Sequence, residues 1–178
     1  MTRWLAPLAL LLVAFPLVPS HAADGILDEA DFGVLAHDVP LGVTHVESGA
    51  DINGELRFVS PGFLAPIFAP RPHLGVSINS DGGNSYAYGG LTWTANFTPI
   101  FFGNLGLGGA IHDGPDYSTN PTHKGLGTRV LFHEYLEFGA HIAAPWSASV
   151  FLDHVSNADL GGHNPGLTNV GLRLGYSF

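Results

Sequence analysis

His154 and Ser156 are the residues of this chain whose types and spacing are best suited to chemistry. They stand two apart in the run Asp153-His154-Val155-Ser156-Asn157-Ala158. On an extended strand, residues two apart emerge on one face with Cα atoms roughly 7 Å apart. From there an imidazole can take the proton of a hydroxyl and turn it into a nucleophile toward an acyl carbonyl. The His-x-Ser spacing is common by chance, so its weight depends on the element that carries it.

That element alternates. Trp146, Ala148, Val150 and Leu152 share the parity of His154 and Ser156, so the pair sits on the apolar face of its strand. Similar stretches, separated by turn residues, mark eight strands at 31–38, 51–60, 72–80, 85–97, 99–111, 127–140, 145–156 and 168–178. In the last of them Val170, Leu172, Leu174, Tyr176 and Phe178 face one way, and Asn169, Gly171, Arg173, Gly175 and Ser177 the other. Charged residues make up only 12% of the chain, against about 25% in ordinary soluble domains. After the first segment no apolar run is long enough for a spanning helix. These features predict an all-β fold, an eight-stranded antiparallel transmembrane β-barrel of the outer membrane over 23–178. A soluble, glycine-rich sandwich is the rival architecture. Within so narrow a lumen charges must be paired, and Glu55, Arg57 and Arg173 have the inward parity for an ion network.

The first segment reads as an address. Arg3, the apolar run Leu5 to Val18 and the small residues of Ser20-His21-Ala22 form a secretory signal peptide, 1–22, cut after Ala22. Tyr176-Ser177-Phe178 resembles the terminal signal read by the barrel insertion machinery. A formal charge of −9 argues against a nucleic-acid partner. There is no cysteine, and the ten histidines are too scattered to suggest a metal site. Glu134 is anomalous, because it shares parity with Phe132, Leu136 and Phe138. A register slip is the favoured explanation, a carboxylate lining a lipid groove the other. Trp93 and Trp146 fit interfacial aromatic belts.

With short turns on the periplasmic side, 39–50, 81–84, 112–126 and 157–167 become external loops, while 61–71, with Pro61, Pro66 and Pro70, is long for a turn. His154 and Ser156 then lie at the external end of the seventh strand, level with the outer-leaflet head groups. A polar pair that faces acyl chains is costly without a partner and a purpose, and the ester within its reach is a lipid ester.

The run His154 to Ala158, followed by Asn164-Pro165-Gly166 and a last strand ending at Phe178, resembles the PagL-type lipid A 3-O-deacylases. Gly49 to Phe58, Pro72 to Ser77, Tyr86 to Thr94 and Gly108 to Gly114 are similar to the wider family. The resemblance implies a barrel that hydrolyses the ester at the 3-position of lipid A without a cofactor. It makes Ser156 the nucleophile, His154 the base, and Asn157, with backbone N–H groups of the loop, the oxyanion donors. The family position of the acid that orients the histidine, fourteen residues beyond it, holds Thr168. Thr168 can accept a hydrogen bond but brings no charge, and Asp159 in the adjoining loop is the other acid within reach. The implied partners are lipopolysaccharide and the outer membrane, with a homodimer left open. A non-catalytic barrel, structural or adhesive, is the competing function.

Overall fold

The computed structural model describes residues 25–178, so the signal expected at 1–22 lies outside the described residues. Eight strands follow in chain order: β1 (Leu27–Ala36), β2 (Ala50–Phe58), β3 (Arg71–Asn79), β4 (Tyr86–Asn96), β5 (Phe101–His112), β6 (Val130–Ala143), β7 (Trp146–Ser156) and β8 (Leu167–Ser177). Each pairs antiparallel with its sequence neighbour, and β1 closes on β8. The expected strands are recovered within a few residues except the first, which begins at Leu27 rather than 31. Its early acids are the reason. Glu29 and Asp31 turn into the lumen to meet Arg57, so pairing extends the strand ahead of its expected start.

Closure satisfies the backbone of every strand within the sheet, which is what a hydrocarbon solvent demands. The outer face is apolar. Phe32, Leu74, Leu136, Phe138 and Leu172 are each more than half exposed. A belt of this kind would be a liability in water and is matched by lipid. The protein is an eight-stranded antiparallel transmembrane barrel of the outer-membrane type.

Inside, the expected ion network is present and larger than expected. Arg57 binds Glu55 at 2.7 Å, Glu29 at 3.0 Å and Glu137 at 2.5 Å, while Arg173 reaches Glu55 at 3.4 Å and Asn53 at 2.6 Å. Tyr86, Tyr88, His73, His133 and Tyr135 fill the space toward the long-loop end with rings in mutual contact. Glycine makes room for them. A Cβ on Gly106 would lie 2.0 Å from the Tyr135 ring.

The two ends of the barrel differ. Segments 37–49, 80–85, 113–129 and 157–166 crown one end. The other carries the short turns 97–100 and 144–145 and the longer link 59–70. That link, which strained the sequence-based scheme, folds into a 3₁₀ helix (Gly62–Ile67), and the Trp93 indole donates to the Ile67 carbonyl at 2.8 Å. Trp146 packs on Tyr176 and Tyr176 on Phe178, giving this end an aromatic girdle.

One expectation is corrected. β6 runs in unbroken register with β5 and β7 past Glu134, and its irregularity falls between His141 and Ala143. No slip turns Glu134 inward. Its carboxylate belongs to the outer wall.

Candidate active site

β7 places His154 and Ser156 at its last outward-facing positions, at the long-loop end. Their inward neighbours Asp153 and Val155 are fully buried, whereas both candidates are partly exposed on the outer wall. The parity and the end of the barrel are those expected from sequence.

His154 has a fixed orientation. It stands opposite Thr168 of β8, with Nδ1 2.8 Å from the hydroxyl oxygen. That hydroxyl donates its own proton to the Leu41 carbonyl at 3.3 Å. Having spent its only proton, it accepts from the imidazole, so Nδ1 carries the hydrogen and Nε2 keeps a free lone pair. A histidine in this tautomer is a base at Nε2. The Ser156 hydroxyl is not hydrogen-bonded to it among the described residues, and a proton transfer between the two would need that contact to close.

Thr168 is 2% exposed even though its parity is outward, because the 37–49 loop folds over it. The Val39 N–H donates to the Thr168 carbonyl at 2.8 Å. Gly166 lies directly against the imidazole. A Cβ there would come within 2.7 Å of the His154 ring and 3.1 Å of Val43, and its φ of 60° already favours glycine. Sequence reasoning missed the share of Leu41 and Val43 in this site, since no local pattern ties a loop to a strand more than a hundred residues away.

The loop is held by a buried polar cluster at the rim. Asp38 accepts from the N–H groups of Val46 and Glu47 and pairs with Lys124. Glu47 accepts from Asn84, from the Lys124 N–H and from His37, whose other ring nitrogen meets Asp51 at 2.8 Å. Burial works against the charge of His37, but its bonds to Asp51 and Glu47 prevail and raise its pKa to about 9. Burial likewise opposes the Glu47 carboxylate. His37 and the Asn84 and Lys124 N–H groups outweigh it and lower its pKa to about 2.

The remaining candidates take different places. Asn157 is buried, and its amide nitrogen donates to the Leu126 and His163 carbonyls at 2.9 and 2.7 Å. Both amide protons are thereby committed, and Asn157 must release one before it can reach an oxyanion. Its backbone N–H is held by Asn164 at 2.9 Å. The N–H groups of Ala158 and Asp159, both at positive φ, make no hydrogen bond among the described residues. Asp159 itself is exposed in the turn closed by Gly162 and makes no hydrogen bond or ion pair with His154.

On its other flank His154 faces Glu134 of β6. One step toward the membrane centre, the paired Leu136 and Leu152 open a lipid-facing groove of about 600 Å³, lined also by Trp93, Leu105, Phe138 and Val150.

Comparison with known proteins gives a family and a fold. The family model for lipid A 3-O-deacylase (PagL) matches residues 62–177, the span that holds β3 to β8 and all of His154, Ser156, Asn157, Asp159 and Thr168. The crystal structure of the outer membrane enzyme PagL superposes with a TM-score of 0.64 at 17% identity, covering 84% of this chain and 99% of that one, a likeness of fold. No curated protein matches the chain.

Proposed function

The chain belongs to the PagL family of lipid A 3-O-deacylases, and from that premise we propose that it removes the ester-linked acyl chain at the 3-position of lipid A with Ser156 as nucleophile and His154 as base. Three observations support this reading. The pair lies on the outer wall, the imidazole tautomer leaves Nε2 free, and a lipid-facing groove of about 600 Å³ begins directly below. The first of these carries it, because a nucleophile turned into the lumen could not meet a lipid.

In this mechanism the acyl chain lies along Leu152, Leu136 and Phe138, with the sugar among the crowning loops. Ser156 Oγ attacks the ester carbonyl as its proton passes to His154 Nε2. Thr168 holds Nδ1–H, so the ring neither turns nor swaps tautomer during the transfer. The negative oxygen is received by the free N–H groups at Ala158 and Asp159, with the Asn157 amide joining if it leaves one of its carbonyls. The imidazolium returns the proton to the departing sugar hydroxyl, and water then releases the acyl group from Ser156 by the reverse sequence. The long loops face outward, the short turns face the periplasm, and residues 1–22 serve as the export signal.

Purified protein mixed with lipopolysaccharide is expected to lower the mass of lipid A by one hydroxyacyl chain and to release the free hydroxy acid. Ser156→Ala should abolish both while the barrel still folds. Lipid A left intact by the native protein favours the non-catalytic reading.

A further inference from the structure

His154 lies in the middle of a three-residue row across the outer wall. Thr168 of β8 is directly opposite on one side and Glu134 of β6 directly opposite on the other. Directly opposed residues on antiparallel strands have Cβ atoms about 4.5–5.5 Å apart. The Thr168 side provides a hydrogen bond and no charge. The Glu134 side provides a carboxylate, and it makes no hydrogen bond or ion pair among the described residues. An unpaired acid among Phe132, Leu136 and Phe138 on a lipid-facing wall is expensive to keep.

We propose that Glu134 is a positioning residue that acts through His154, its charge stabilising the imidazolium that forms when Ser156 attacks. This rests on the reading of His154 as base and deepens it. The carboxylate that ordinarily would approach the ring from β8 is replaced here by two separate groups. Thr168 fixes the tautomer, and Glu134 supplies the opposing charge from β6.

The other charged groups nearby do not fill this role. Asp153 and His133 lie on the luminal side, where Asp153 is bound to Tyr86 and His133. Lys124 is committed to Asp38. The covering loop presents Leu41 and Val43, and Gly166 and Thr168 are uncharged.

The test reads serine reactivity directly, without assuming the substrate. A long-chain alkyl fluorophosphonate in detergent micelles phosphonylates an activated serine. The Oγ–P bond forms, the P–F bond breaks, fluoride leaves and the serine proton passes to the histidine. Native protein should label at Ser156. Glu134→Gln, which keeps shape and loses charge, should slow labelling and kcat on lipopolysaccharide about tenfold, with KM little changed. Glu134→Asp should retain most of the rate. Adding Thr168→Glu to Glu134→Gln should restore it, since a carboxylate would again face the ring. Heat-modifiable gel mobility reports folding of each variant. Labelling of Glu134→Gln at the native rate overturns the proposal. So does a rise in KM with labelling unchanged, which would make Glu134 a substrate contact. Native labelling at Ser156 without loss of acyl chain from lipid A removes the substrate assignment while the labelling rates still decide Glu134. Absence of labelling in the native protein overturns both.

Discussion

The Thr168 hydroxyl lies 2.8 Å from His154 Nδ1 while giving its proton to the Leu41 carbonyl, so one side chain sets the tautomer of the candidate base and joins it to a loop. Thr168→Val keeps the branched shape and removes the acceptor. The bond it deletes strengthens as the ring becomes charged, where hydrogen bonds contribute about 1.5–3 kcal/mol. We therefore expect kcat to fall by about one to two orders of magnitude with little change in KM. Steady-state kinetics on lipopolysaccharide would show this, and an unchanged kcat would mean that the hydroxyl does not orient the base.

Gly166 gives a second, steric test of the same ring. Alanine there would place a methyl against the imidazole and Val43 at a backbone angle that resists side chains. Gly166→Ala should lower acyl release far more than it lowers the temperature at which the barrel loses heat-modifiable mobility. Equal losses in both would mean that the glycine serves only the fold.

Arg57 lies in the lumen among Glu29, Asp31, Glu55 and Glu137. Removing it leaves buried carboxylates without their counter-charge, a change that costs about 3–5 kcal/mol. Arg57→Met should therefore move the urea midpoint of the barrel in detergent well below that of the native protein. Leu172→Ala, on the lipid-facing wall, should move it much less, because Leu172 is 68% exposed and leaves no sealed cavity.

The sequence made the barrel legible because alternation survives wherever one solvent is hydrocarbon and the other a packed lumen. His154, Ser156 and Arg173 can be assigned to faces by parity alone, and β7 and β8 carry them on those faces. Nothing local extends the first strand back to Glu29, since its partner Arg57 is on the next strand and parity gives no hint of pairing. At Glu134 the sequence favours a slip over a carboxylate lining a lipid groove. A lone acid breaks the alternation, and only the register across β6 and β7 places it beside His154. The contribution of the 37–49 loop had no local signal at all. Leu41 reaches Thr168 only once the barrel has closed.

That loop also gives the site a pH dependence, whose direction follows from His37 and Glu47. The pKa of His37 is raised to about 9 by Asp51 and Glu47, so its contribution is complete below its unfolded value near 6.5 and is lost as pH rises through 9. The pKa of Glu47 is lowered to about 2, so its contribution is complete above its unfolded value near 4.5 and is lost as pH falls through 2. The loop is therefore most firmly attached between about 4.5 and 6.5, and alkali is the first condition to loosen it. Limited proteolysis of the folded barrel should show cleavage within 37–49 increasing from pH 7 to pH 9.5, relative to a cleavage site elsewhere in the same protein. His37→Gln cannot charge, so it should be cleaved faster at pH 7 and should lose most of the dependence. A native profile as flat as that of the variant would mean that the rim cluster does not control the cover over Thr168.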